Sequence, residues 1–314
     1  MRVIFMGTPD FAVPTLQKII DCGHEVAAVV TQPDKARGRG KSVTFSPVKE
    51  KALEHNIPVY QPVRARNPEF IETLRALAPE VIVVVAFGQL LPKAILDIPP
   101  YGCINVHASL LPKYRGAAPI QWAVIRGEET SGVTTMYMAE GLDTGDMILK
   151  TEIPLAADET GGSLHDKLSV LGADLLVKTL EQLKDGTAVR TPQDDSQAGI
   201  YAKMLDKNLG AIDFGRSAVE IERLIRGLNP WPSAFTMLNG KTLKLWKADV
   251  LDKEYEGSCG EIVEITKDCL VIKTGKGALA VQELQLEGKK RMGTDAFLRG
   301  YPIKQGTVLP DANK

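Results

Sequence analysis

Cysteine and histidine are scarce in this chain, and their scarcity excludes several kinds of chemistry. The four cysteines (Cys22, Cys103, Cys259, Cys269) lie far apart with no C-x-x-C pair, so neither a disulfide framework nor a zinc knuckle is supported. The four histidines (His24, His55, His107, His165) are as scattered, and no metal site is expected. No apolar run approaches membrane-spanning length, and the opening Met-Arg-Val-Ile-Phe-Met-Gly reads as a strand, not a secretory signal. A cytoplasmic location without a membrane partner is the expectation, with a monomer as the default. An excess of one charge is also missing. The chain has 38 basic and 39 acidic residues, a net charge of −1, so any nucleic-acid binding must come from local patches. Residues after 206 carry 17 basic and 14 acidic groups (+3), and the rest carry 21 and 25 (−4), a mild asymmetry that points a polyanion toward the C-terminal part.

Hydrophobics at 44% and charged residues at 25% describe an ordinary globular protein. At 314 residues two domains are the natural reading, because one core seldom grows past about 250–300 residues. Strands alternate with helical patterns up to about residue 185. Val3–Met6, Glu25–Val30, Val81–Ala86, 103–107 and Val133–Met138 read as strands, and 11–22, 47–55 and 67–77 as helices. Leu164, Leu168, Leu171, Leu175, Leu180 and Leu183 mark a long amphipathic helix. This is the pattern of an α/β domain with a Rossmann-like open sheet, whose ligands sit beyond the carboxyl ends of the strands. Residues 186–206 lose periodicity and become polar. The chain therefore divides into a first domain at 1–189, a linker at 190–206 and a second domain at 207–314. The second opens with a capping box at Ser217–Glu220 and a helix stopped by Asn229-Pro-Trp-Pro232. Short strands follow at 234–238, 242–251, 260–266, 269–274 and 279–286, with an Asn239-Gly240 turn after the first, which predicts a small β-barrel.

The chemistry concentrates where the 103–107 strand runs out. A side-chain period of two places Asn105 and His107 on one face. One offers a neutral amide donor, the other a proton acceptor of the type that titrates near neutrality. A reaction through a tetrahedral oxyanion needs that pair side by side. A core histidine beside a capping asparagine is the bland alternative. Ser109-Leu-Leu-Pro112 follows directly, and the glycine-bounded loop from Glu140 to Asp146 supplies a carboxylate, Asp143 or Asp146. Both loops are expected at the carboxyl ends of the strands.

Three other signals compete for meaning. Gly7-Thr8-Pro9 follows the first strand where a dinucleotide site would carry G-x-G-x-x-G, but Pro9 and Ala12 occupy the second and third glycine positions, so no nicotinamide cofactor is expected. Residues 35–49 include Lys35, Arg37, Arg39, Lys41 and Lys49 with no acidic group, which reads either as a solvated loop or as an arm that grips phosphates. Trp231, flanked by prolines, reads as a packing anchor between domains.

These segments together resemble the methionyl-tRNA formyltransferases, and the resemblance covers essentially the whole chain. It is carried by the Met-Gly-Thr-Pro-Asp-Phe start, Thr31-Gln-Pro-Asp34 running into the basic arm, and Asn105-Val-His-Ala-Ser-Leu-Leu-Pro112. Arg115-Gly-Ala-Ala-Pro-Ile-Gln121, Leu142-Asp-Thr-Gly145 and Asn229-Pro-Trp-Pro232 complete it. The Asn-x-His…Asp constellation is similar to that of all folate-dependent formyltransferases, while the arm, the Arg115 segment and the β-rich tail point to the tRNA member. The resemblance implies a formyl-transfer domain joined to an OB-like barrel that helps hold tRNA. It implies 10-formyltetrahydrofolate as co-substrate, without metal, and the α-amine of methionine on initiator tRNA as acceptor. Asn105, His107 and Asp143 would be the catalytic residues, Asp143 preferred to Asp146 because the family's Leu-Asp-x-Gly motif falls there. Folate would lie between Phe87, Gly88, Gln89, Leu90 and Leu91 on one side and Ser109, Leu110, Leu111 and Pro112 on the other. Plain core packing remains open for Leu90, Leu91 and Leu110, and a simple turn cap for Ser109. Lys35, Arg37, Arg39 and Lys41 would contact tRNA. A sugar-nucleotide formyltransferase would share the trio but have no use for the arm. A non-catalytic nucleic-acid module would leave the trio without purpose.

Overall fold

The computed structural model describes residues 1–37 and 42–311. They form two compact units. One comprises residues 1–119, 130–154 and 165–202, the other residues 120–129, 155–164 and 203–314.

In chain order the first part of the molecule contains β1 (Arg2–Gly7), α1 (Val13–Asp21), β2 (Glu25–Val30), β3 (Lys35–Arg37) and β4 (Ser42–Thr44). Next come α2 (Pro47–Glu54), β5 (Val59–Tyr60), α3 (Pro68–Ala76), β6 (Val81–Val85), α4 (Lys93–Leu96) and β7 (Cys103–His107). Then follow α5 (Pro119–Arg126), β8 (Thr130–Tyr137), β9 (Met147–Pro154) and α6 (Gly161–Asp185). The main sheet has the order β5-β2-β1-β6-β7-β8-β9. Its first five strands are parallel, β8 runs antiparallel to them, and β9, antiparallel to β8, returns to their direction. Every residue of β6 is buried, as a parallel strand covered on both faces requires. Helix starts follow local chemistry. Ser46 and Asn67 accept backbone N–H bonds at the heads of α2 and α3, each followed by a proline whose missing N–H costs nothing there.

The alternation of β7 sets up the site. Val106 faces α6: a Cβ at Gly172 would lie 2.9 Å from its Cγ1, so helix and strand approach this closely only with glycine. Asn105 and His107 point to the other face.

Two departures from the sequence-based expectation lie beside the site. Strand β9 was not foreseen, because its outer half alternates exposed Lys150, Glu152 and Pro154 with half-buried neighbours as a sheet-edge strand does. The loop bearing Asp143 is not rooted at the carboxyl ends of the parallel strands. Because β8 is antiparallel, its outgoing loop leaves beside the start of β7, where Met138 N–H bonds to the Cys103 carbonyl.

In the C-terminal stretch of the second unit the first α-helix is α7 (Ala218–Gly227), closed at its head by the reciprocal Ser217–Glu220 capping box. An antiparallel sheet follows: β10 (Ala234–Leu238), β11 (Lys241–Leu251), β12 (Ile262–Ile265), β13 (Leu270–Lys273), β14 (Ala278–Leu286) and β15 (Met292–Gly293), then α8 (Thr294–Gly300). The order is β10-β11-β14-β13-β12, with β15 beside β14. Asn239 and Gly240 both adopt left-handed backbone, the geometry of a two-residue hairpin turn. Ile221, Leu224 and Ile225 of α7 join Leu243, Leu245, Ile272, Leu279 and Leu284 in one core. Helix α5 packs there too, since a Cβ at Gly227 would come within 2.4 Å of Ile125. The antiparallel sheet agrees with the small β-rich domain expected for the C-terminal part, with helices packed beside it. Trp231 is 55% exposed.

Candidate active site

His107 ends β7 with its ring nearly buried, 7% of its side chain exposed. Its Nε2 lies 3.0 Å from the Tyr114 carbonyl oxygen. A carbonyl only accepts, so Nε2 carries a proton and Nδ1 is the atom free to gain or lose one. Nδ1 faces the Asp143 carboxylate at 3.7 Å, longer than a hydrogen bond but close for an ion pair. Asp143 is held by its other oxygen, which accepts the Gly116 N–H at 2.9 Å. Its backbone is left-handed, φ 53°. Gly145 makes this tight loop possible, since a Cβ there would fall 1.8 Å from the Tyr137 carbonyl. Asp146 points elsewhere, 3.8 Å from the Arg190 guanidinium. Asn105, half-buried two residues before His107 on the same face, makes no side-chain hydrogen bond among the described residues, so its amide protons are available to a substrate oxygen.

The Ser109–Pro112 turn folds back over the sheet. The Thr134 hydroxyl donates to the Ser109 carbonyl at 2.7 Å and accepts the Leu111 N–H at 3.1 Å. The Lys150 ammonium, whose pKa is lowered by burial, donates to the Leu111 carbonyl. Ser109 Oγ donates to the Lys113 carbonyl, a turn-closing bond. Leu111 is fully buried with Met136 and Met147, and Leu110 lies over Gly132, where a Cβ would meet its Cδ2 at 2.6 Å.

The segment after β6 divides its residues. Phe87 and Leu91 are core, packed with Ile4, Met6 and Ile95. The Phe87 carbonyl is taken by Thr8 Oγ1 and Gln32 Nε2, each at 3.1 Å. Gln89 spans the neighbouring loop, accepting from Ala65 N–H and donating to the Pro62 carbonyl. Exposed there are Gly88, with φ 85°, and Leu90, 72% exposed. Leu90 and the Gly88 backbone are thus open at this edge, while Phe87, Gln89 and Leu91 shape the turn beneath. Arg39 and Lys41 of the basic arm lie outside the described residues, and Lys35 and Arg37 are described only as backbone of β3. The arm's root is braced: Lys49 donates to Asp34 and to Gln61, and its hydrogen bond holds the Asp34 carboxyl below its usual pKa.

Sequence reading missed Thr134, Lys150 and Gln193. The first two are ordinary strand residues whose role comes only from cross-strand register, His107 pairing with Thr134 and Thr134 with Lys150. Among the described residues no cluster of histidine, cysteine, aspartate and glutamate could hold a metal, and no helix is long and apolar enough to cross a membrane.

A Rossmann-like sheet bearing an Asn-x-His pair against a loop carboxylate, followed by an antiparallel-sheet domain, has the groups that acyl transfer through an oxyanion requires, and the comparisons name the family. Residues 1–180 match the model of the formyl transferase family and residues 204–302 that of the formyl transferase C-terminal domain. The chain belongs to the formyl transferase family. It is 62% identical to the methionyl-tRNA formyltransferase of Agathobacter rectalis, with 98% of this chain and 99% of that one covered. It is 61% identical to the enzyme of the same name from Lachnospira eligens, over 98% and 99%. Among solved structures, the N-formyltransferase from Helicobacter canadensis with folinic acid and dTDP-3-aminofucose has a TM-score of 0.65 at 19% identity, covering 90% of this chain and 98% of that one.

Proposed function

We propose that this chain transfers the formyl group of 10-formyltetrahydrofolate to the α-amino group of methionine on initiator methionyl-tRNA, giving N-formylmethionyl-tRNA for translation initiation. The observation that carries the reading is the arrangement of Asn105, His107 and Asp143, set in a chain 62% identical to a methionyl-tRNA formyltransferase. The amine attacks the formyl carbon, negative charge grows on the formyl oxygen, and the bond to the folate nitrogen then breaks. Asn105 donates to that oxygen, an interaction worth about 2.7–4 kcal/mol in comparable oxyanion holes. His107, fixed through Nε2 by Tyr114, exchanges at Nδ1 the proton that leaves the amine and returns to the folate nitrogen. Asp143 stabilises the imidazolium formed in between. Leu90 and the Gly88 backbone border the folate, and the 35–49 arm supplies cations to the tRNA phosphates. The experiment mixes the protein with 10-formyltetrahydrofolate and charged initiator tRNA, with an amino-sugar nucleotide as the competing acceptor. Formylmethionyl-tRNA is the expected product. Formylation of the amino sugar alone would assign the site to small-molecule acceptors.

A further inference from the structure

The segment after α6, read from sequence as a linker, is built into the site. Thr191 bridges to Met147 by two backbone bonds of 2.9 Å each. Ala202 is tied to the turn after His107: its N–H donates to the Arg115 carbonyl, and its carbonyl accepts the N–H groups of Ala117 and Ala118. Between these anchors stands Gln193, half-buried. Both protons of its amide are used at 2.8 Å, on the carbonyls of Asp143 and Gly145. Its oxygen accepts Arg115 Nε at 2.9 Å, and Arg115 Nη2 reaches Asp195 at 2.8 Å. Two carbonyls only accept and a guanidinium only donates, so this set admits one orientation of the amide.

We infer that Gln193 is a positioning residue for the catalytic carboxylate, holding the Asp143 loop in its left-handed turn and tying it to Arg115. This rests on the proposed roles of Asp143 and His107. The argument is geometric. Asp143 is fixed at its carboxylate by Gly116 N–H and at its backbone by Gln193, and Arg115, next to Gly116, is gripped by the same Gln193 side chain. One amide thus sets the separation between the two segments that bracket His107. Without it the loop keeps its residues but loses the clamp, and misplacement of a reacting group by about 1 Å can cost about 100-fold in rate.

The test compares Gln193→Ala and Gln193→Glu with the wild-type full-length chain, in wild-type and Asp143→Ala backgrounds, using formylation of charged initiator tRNA. Wild-type turnover checks the proposed function separately. Gln193→Ala is expected to lower kcat about 10- to 100-fold with KM for folate and tRNA within about two-fold. Gln193→Glu, which turns a carboxylate toward two carbonyls, is expected to be no better. The pH profile of kcat should shift in Gln193→Ala because the partner of His107 has moved. In the Asp143→Ala background Gln193→Ala should cost nothing further, since a positioning residue acts through what it positions. A full additive loss there, or an unmoved pH profile with an equal fall in Tm and kcat, would make Gln193 a structural strut only.

Discussion

At the scale of single residues, the site separates groups that carry charge from groups that hold them. Asn105 has no side-chain hydrogen bond among the described residues, His107 has one nitrogen committed and one open, and Asp143 is anchored at one oxygen. Asn105→Ala should therefore lower kcat about 100- to 1,000-fold. His107→Ala and Asp143→Ala should each fall by a similar or larger factor, and the double variant by little more than the worse single one, because the pair moves one proton. Asp146→Ala should stay within a few-fold of wild type, its carboxylate being turned to Arg190. Single-turnover rates, with circular dichroism to confirm folding, decide this. Collapse of Asp146→Ala with survival of Asp143→Ala would reverse the assignment. The Asn105–His107 pairing was legible in sequence because two-residue periodicity is a property of any strand. The partner Asp143 needed a motif, and Gln193 had no signal at all, since its bonds run to backbone atoms 48–50 residues away and to a side chain 78 residues away.

At the scale of elements, the basic arm and the cap of α7 make opposite kinds of prediction. Neutralising Arg37, Arg39 and Lys41 together should weaken tRNA binding and flatten its salt dependence, each lost phosphate contact reducing the slope by about 0.7–0.9. Folate affinity, the control, should hold. The arm leaves the carboxyl end of β2, the same edge of the sheet as Leu90, so this control is a demanding one. Equal slopes in variant and wild type would leave the arm a solvated loop. Helix α7 offers a pH test. Hydrogen bonds, first from the Ser217 hydroxyl, hold the Glu220 carboxyl down at about 2 against 4.5. A depressed carboxylate contributes stability above its unfolded pKa and loses it as pH falls through the folded value. Ser217→Ala should cost about 1 kcal/mol near neutrality, and the penalty should shrink between pH 4.5 and about 2, followed by chemical denaturation. A pH-independent penalty would mean the box contributes through geometry alone. This cap was readable from Ser-x-x-Glu, as were β6 and the Asn239–Gly240 turn. Strand β9 was not, because an edge strand with alternating charge looks like loop in a one-dimensional pattern.

At the scale of the whole molecule, the chain passes repeatedly between its two units, since residues 120–129 and 155–164 cluster with the C-terminal part. The proposed folate edge and the proposed catalytic trio nonetheless lie in the first unit alone. Hydrogen exchange with a non-transferable folate should therefore slow amides at 86–91, 108–116 and 139–146 and leave 234–251 and 278–286 unchanged. Protection confined to the antiparallel sheet would relocate the ligand.

The stitching of residues 191–202 to the Asp143 loop also bears on how such proteins can be recombined. The N-terminal family match stops at residue 180, and a chimera spliced there would inherit Asn105, His107 and Asp143 while taking its strap from another parent. A splice after Ala202 would keep the clamp and its carboxylate from one lineage. On the proposed assignment, the heritable module of formyl transfer in this protein is thus longer than the segment in which its three candidate side chains reside.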